Sequence, residues 1–229
     1  MPLIPDSVAP LWRILGKILT LGRDNSPIAT VADLERFVAT RAAYVGQTKL
    51  YGYLKTRIGT RYPRVFDDDI FVRSMNIAKY HVFAACLSDL AIFAVATALL
   101  EQNLPDERRA ALAMRCFRQG LDDNSRDLPR EFSVEQAVEV FARRLASTDW
   151  FLSAPDRSNF TESPKALLKW APIAERLKRE DAEIVKNSIK FAWRDIREQY
   201  CKRLDADGLA ADFERLSGQA ALDFGHGKV

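Results

Sequence analysis

The sequence predicts an all-α protein, a single domain of six or seven helices around a long buried central helix at about 70–101. One observation is the stretch from Asp69 to Glu101, which contains no Gly or Pro. Within it, residues 82–100 carry a single charge, Asp89. That segment is too long for a strand, and a helix that is apolar all round lies inside a protein or a membrane. A second observation is that alternating strand patterns are absent, which argues against βαβ folds.

The same central segment has to be compared with a membrane span. Residues 82–100 contain nine Leu, Ile, Val or Phe residues, each worth about −0.3 to −0.6 kcal/mol on an insertion scale. Asp89 near the middle costs about +2.5 to +3.5 kcal/mol, so the sum is near zero. We therefore predict that the helix is the interior of the protein's own fold.

The helix before the central one is predicted at 31–60. Thr30 and Asp33 form a capping box at its start, and Pro63 follows its end. The acidic run Asp67–Asp69 then supplies an N-cap and favourable charge for the central helix. Because the connection is short, the two long helices should form an antiparallel hairpin.

The later helices follow from their start and stop signals. We predict further helices at about 105–120, 133–146, 163–171, 173–204 and 209–216, with an irregular stretch at 148–162. Asp207-Gly208 should break the chain before the last of them. The predicted organisation is an amphipathic basic segment at 1–24, a helical domain at 28–216 and a flexible tail at 217–229.

The N-terminal segment 8–23 has an apolar face opposite basic residues on a helical wheel. The residues predicted to contact a membrane or a partner are Leu11, Trp12, Arg13, Leu15, Lys17 and Ile18. This layout is typical of an interfacial membrane helix or of a helix that docks in a groove. The alternatives are a first helix that packs on the domain's own core and, with less support, a transit peptide. The start of the chain lacks the positive region of a secretory signal.

Composition sets limits on the function classes. The formal net charge of +3 is too small to require a nucleic-acid partner. Three cysteines at wide spacing and only two histidines provide no zinc pattern and no disulfide framework. We predict no metal and no cofactor, and a cytoplasmic location.

The standard catalytic and phosphate-binding motifs are missing, so the candidate catalytic residues are His81, Ser88 and Asp89 of the central helix. A pocket between helices would shift the pKa values of His81 and Asp89. These two residues are about 12 Å apart along the helix axis, so they would not form a dyad. We expect Asp89 to pair with Arg41 or Lys49. The alternative is a closely packed seam of small and polar groups.

Residues 36–64 combine basic and aromatic side chains. The candidate binding residues are Arg41, Lys49, Tyr53, Lys55, Arg57, Arg61 and Arg64. Such a cluster suits anionic lipid headgroups or a phosphate backbone with stacked bases. The alternative is a solvated face whose charges meet acidic clusters elsewhere.

Two further patterns are interpreted as structural. A basic stripe on the last long helix is formed by Lys186, Lys190, Arg194 and Arg197. Because acidic residues lie beside it, we interpret this stripe as a solvent-exposed face. Four aromatic residues lie in or beside the irregular stretch, Trp150, Phe151, Phe160 and Trp170. They should cover the edge of the core, or otherwise form a recognition surface.

These patterns favour a helical interaction or adaptor protein, in the cytoplasm or peripheral to a membrane. Its basic and aromatic face would meet acidic protein partners or lipid headgroups, with nucleic acid as a less favoured partner. The alternative is a hydrolase-like enzyme or a small-ligand-binding bundle, with its site around His81, Ser88 and Asp89. No pattern decides whether the protein is an enzyme.

Overall fold

The computed structural model describes residues 25–153 and 160–225, and this part of the chain is helical apart from turns and one isolated β-bridge. Its α-helices are α1 Val31–Ile58, α2 Asp69–Ala98, α3 Asp106–Asp122, α4 Val134–Ala146, α5 Trp150–Ser153, α6 Glu162–Trp170, α7 Glu175–Arg203 and α8 Ala206–Gly225. The structure also contains two 3-10 helices, Gly59–Asp67 and Ser125–Asp127. The predicted all-α class is confirmed.

The long helix α2 is the centre of the single hydrophobic core. It packs against α1, α3 and α6, and its second half is buried on all sides. By length and composition α2 could cross a membrane, with a mean hydropathy of 1.7 over its most apolar window. However, 78% of that window is buried inside the protein. The prediction of a central buried helix is confirmed.

Helices α1 and α2 form the predicted antiparallel hairpin. Tyr51 of α1 interacts with Tyr80 of α2, whereas Gly46, earlier in α1, faces Phe83 and Cys86, later in α2. A Cβ atom on Gly46 would lie 3.6 Å from the Phe83 Cα. This is an ordinary van der Waals distance, so an alanine would also fit between the two helices here.

The predicted N-caps also form. The Thr30 hydroxyl accepts a hydrogen bond from the Asp33 amide at 3.1 Å, and Ser133 accepts one from the Gln136 amide at 3.0 Å. The Asp68 carboxylate accepts bonds from the first-turn amides of α2 at 2.9 and 3.2 Å. These bonds satisfy amide groups that have no partner within their own helix.

The described residues contain eight α-helices, whereas the sequence predicted six or seven. The short α5 lies in the stretch predicted to be irregular, and it buries Trp150. Helix α8 continues to Gly225, beyond the predicted end at 216. Gly208 lies in its first turn instead of breaking the chain, because the Asp205 carboxylate accepts a bond from its amide at 3.0 Å. Residues 226–229 lie outside the described part, and the domain boundaries at 24 and 217 stay predictions.

The two ends of the described fold are joined by backbone hydrogen bonds. The Ile28 amide donates to the Arg203 carbonyl at 2.8 Å, and the Asp205 amide donates to the Ile28 carbonyl at 3.1 Å. The Val31 amide, in the first turn of α1, donates to the Asp212 carboxylate at 2.9 Å. We call this set of contacts the terminal clasp.

Candidate functional site

A groove of about 650 Å³ opens between α2, α4 and α6, and we call it the α2–α4–α6 groove. Its walls are mainly apolar, with Ala84, Ala85, Phe117, Phe132, Phe141 and Trp170. The polar groups that line it are Ser88, His81, Gln136, Arg144, Glu162, Lys165 and Lys169, with Ser133 at the edge. Its size and its mainly apolar walls are typical of small-molecule sites.

Asp89 lies just behind the wall of this groove and is fully buried. Its carboxylate accepts hydrogen bonds from the Glu162 amide at 3.2 Å and the Ser163 amide at 2.8 Å. Both amides belong to the first turn of α6, so Asp89 acts as an N-cap supplied by another helix. The Ser163 hydroxyl in turn accepts a bond from Trp193 Nε1 at 2.9 Å. These bonds fix the start of α6 against α2 and α7.

Arg144 of α4 is the charged partner of Asp89. Its Nη1 lies 2.8 Å from Asp89 Oδ1 and donates to the Ser88 hydroxyl at 2.6 Å. Burial raises the pKa of the Asp89 carboxyl, while the Arg144 charge and the Ser163 hydrogen bonds act in the opposite direction. The converging donors favour the ionised form, and the side chain of Arg144 keeps 19% exposure towards the groove.

The expected pairing of Asp89 with Arg41 or Lys49 is wrong. Arg41 is buried elsewhere, with its guanidinium 5.5 Å from the Phe37 ring centre. The Lys49 ammonium donates to the Ser188 hydroxyl at 3.2 Å. The face of α1 that carries Lys49 packs towards α7, while Asp89 faces α4 and α6. Sequence reasoning missed Arg144, because nothing in the sequence distinguishes it from its neighbour Arg143.

His81 lines the same groove, about two turns before Ser88 on α2. Its ring stacks on Trp170 at 3.6 Å between ring centres, and Phe132 meets its edge at 5.1 Å. Burial lowers the pKa of His81, and a hydrogen bond with the Glu131 backbone partly opposes this. The Nε2 atom has no hydrogen-bond partner among the described residues. His81 is therefore mostly a neutral imidazole at neutral pH.

Some of the basic and aromatic residues of 41–64 lie at the contact between α1 and α7. Tyr53 donates to Asp181 of α7 at 2.8 Å, and the Arg57 guanidinium pairs with the same carboxylate. By contrast, Lys55 and Arg64 are exposed. Arg61 belongs to the Gly59–Asp67 segment, and its side chain is outside the described set. Asp181 thus uses two of the predicted binding residues to hold α1 against α7.

The remaining predicted site lies outside the part of the chain that the structure describes. The N-terminal residues Leu11, Trp12, Arg13, Leu15, Lys17 and Ile18 lie outside the described ranges. Within residues 25–153 and 160–225, no three His, Cys, Asp or Glu side chains come together as a metal site. Comparison of the chain with protein-family models, with characterised proteins and with solved structures found no match.

Proposed function

We propose that this protein binds a small anionic molecule in the α2–α4–α6 groove. The observation that carries the proposal is the arrangement around Arg144. A buried carboxylate holds this guanidinium at the groove wall, where aromatic side chains surround it. Such walls with a few fixed polar groups favour a ligand that is partly apolar.

The charge of the lining favours an anion. Arg144, Lys165 and Lys169 contribute three cations, and Glu162 contributes one carboxylate. Glu162 is held by the Lys165 ammonium at 2.7 Å. Lys169 has no carboxylate partner among the described residues, and its ammonium lies 5.1 Å from the Trp170 ring centre. A ligand carboxylate, sulfonate or phosphate could therefore lie between Lys169 and Arg144.

The geometry favours binding over the hydrolase-like alternative. A serine nucleophile needs a base within hydrogen-bond reach of its hydroxyl. The Ser88 hydroxyl instead accepts a bond from Arg144, which cannot act as a base. His81 is seven residues away on the same helix, a rise of about 10 Å. We therefore assign Ser88 and His81 to the walls of a binding site.

The test uses 8-anilinonaphthalene-1-sulfonate, a fluorescent aromatic anion, as the probe. Wild-type protein should bind it with enhanced fluorescence, and Lys169→Gln should weaken binding about two- to fivefold because one exposed charge contact is lost. Ala137→Trp should abolish binding by filling the groove, since Ala137 is a half-buried lining residue. Arg118→Gln, which removes an exposed cation outside the groove, is the matched control.

Near-UV circular dichroism must show native packing in each variant, because loosely packed states also bind this dye. If Ala137→Trp is natively packed and binds the dye as tightly as the wild type, the groove is not the site. Absence of binding by the wild type would also contradict the proposal.

The interaction role predicted from the sequence is a second proposal. It is supported by two adjacent apolar side chains on α5, Phe151 and Leu152, which are 76% and 59% exposed. Neighbouring exposed apolar groups are typical of partner-binding surfaces. A cross-linkable amino acid at position 151 should capture a protein partner in cells, and an exposed position such as Arg118 serves as the control.

A further inference from the structure

A second groove lies on the opposite side of α6, between α6 and α7. It encloses about 700 Å³. Its lining includes five cations, Lys165, Lys186, Lys190, Arg194 and Arg197, and no carboxylate. We call it the cationic groove. It contains all four members of the basic stripe that the sequence analysis interpreted as a solvent-exposed face.

The acidic neighbours of the α7 cations do not cancel their charge inside the groove. Glu183 pairs with Lys186 at 2.8 Å, and Asp195 lies 3.6 Å from Arg194. Both carboxylates are exposed, with 78% and 65% of their side-chain surface accessible, and neither lines the groove. Exposed ion pairs of this kind are weak. An anion in the groove would therefore compete successfully for Lys186 and Arg194.

The spacing of the cations along α7 is regular. Lys186, Lys190 and Arg194 follow at steps of four residues, so each is about 6 Å further along the same helix face. Arg197 extends the line to roughly 17 Å. A row of evenly spaced cations matches a ligand with repeated negative charges better than it matches a single anion.

An exposed aromatic ring accompanies the row. Phe191 is 62% exposed, and the Arg194 guanidinium lies 5.5 Å from its ring centre. Phe160 and Trp193 are buried and belong to the same lining. A cationic groove with an aromatic platform is the arrangement used to hold single strands, in which phosphates meet the cations and bases stack on the rings.

We propose that the cationic groove binds single-stranded nucleic acid, with successive phosphates at Lys186, Lys190 and Arg194 and one base stacked on Phe191. A flat anionic bilayer fits a concave groove poorly. An acidic peptide could pair with the cations, but its carboxylates would leave the Phe191 ring unused. The site is separate from the α2–α4–α6 groove, since α6 lies between them. Only Lys165 lines both, and it is left unchanged in the test.

The test measures fluorescence anisotropy of a labelled oligothymidylate of about 12 nucleotides, within the usual site sizes. With three phosphate contacts, the logarithm of the binding constant should fall with a slope of about −2 against the logarithm of salt concentration. Binding should therefore weaken about 20-fold between 50 and 200 mM salt. Lys190→Gln/Arg194→Gln should bring the slope to about −0.7.

Stacking is tested separately. Phe191→Ala should weaken binding about tenfold without changing the salt slope, because a base–aromatic contact carries no charge. Matched controls remove the same groups elsewhere on the surface. They are Arg118→Gln/Arg143→Gln for the charges and Phe151→Ala for the exposed ring, and they should leave affinity and slope unchanged.

Several results would overturn the proposal. One is no binding by the wild type at 50 mM salt, the low end of the titration. Another is that polyglutamate, or vesicles of phosphatidylserine and phosphatidylcholine, compete as well as unlabelled oligothymidylate. Tighter binding of a duplex, an unchanged affinity in Phe191→Ala, or an equal loss in the control variants would also exclude a single-strand site.

Discussion

Replacing Asp89 with Asn tests the buried network that positions α6 and Arg144. The Asp89 carboxylate accepts bonds from the Arg144 guanidinium and from the amides of Glu162 and Ser163. Asparagine has almost the same shape, but one of its two polar atoms is a donor. At least one of these donors would then face another donor.

The expected loss follows from the burial of this pair. Removing one partner of a buried ion pair costs about 3–5 kcal/mol, because an uncompensated charge stays behind. The Arg144 side chain is 19% exposed and can still reach water, so the lower end applies. We therefore expect Asp89→Asn to reduce the free energy of unfolding by about 3 kcal/mol.

The assay is urea unfolding followed by circular dichroism, which gives the free energy of unfolding. Asp212→Asn is the matched control. Its carboxylate also accepts a bond from a first-turn amide, that of Val31 at 2.9 Å, and pairs with Arg215. Because Asp212 is partly exposed, its loss should be about 1 kcal/mol. Equal losses in the two variants, or a loss of less than about 1 kcal/mol for Asp89→Asn, would refute the reasoning.

Three more predictions concern packing, pH and the N-terminal segment. In Gly120→Ala the new Cβ would lie 2.7 Å from the buried Leu87 Cδ1, so the free energy of unfolding measured in urea should decrease by about 1–3 kcal/mol. In Gly52→Ala, where the space beside α1 is open, the free energy of unfolding should increase by about 0.5–1 kcal/mol. Burial lowers the pKa of His81, so the unfolded state binds a proton on this residue more readily than the folded state does. The melting temperature should therefore decrease as the pH is lowered below about 6.5. The melting temperature of His81→Gln should decrease less over the same pH range. An identical dependence of melting temperature on pH in the variant and the wild type would contradict this prediction. Deleting residues 1–24 should leave a folded protein that no longer sediments with anionic vesicles, and unchanged sedimentation would exclude the membrane role.

The fold could be predicted because its main signals are local. The apolar run around Asp89 and the hydroxyl groups of Thr30 and Ser133 act within a few residues of their own position. Helix α5 was missed because it depends on burial against distant elements. Trp150, for example, is buried although its own stretch has no helical periodicity.

The candidate site could be predicted only in part. His81 and Ser88 line one groove, as their seven-residue spacing on one helix face allows. The partner of Asp89 could not be inferred, since Arg144 lies 55 positions along the chain and only tertiary packing brings them together. The same limit applies to Arg57, whose partner Asp181 is 124 residues away. A cluster of like charges in sequence therefore does not show which of its members pair with a distant carboxylate.

The terminal clasp affects the order in which contacts of this domain can form while the chain is being synthesised. The Thr30 cap is available as soon as α1 leaves the ribosome, but the Val31 amide waits for a carboxylate 181 residues downstream. At about 5–20 residues per second, that interval lasts roughly 10–40 seconds. Throughout it the Val31 amide has only solvent as a partner, so the first turn of α1 is among the last parts of the domain to be completed.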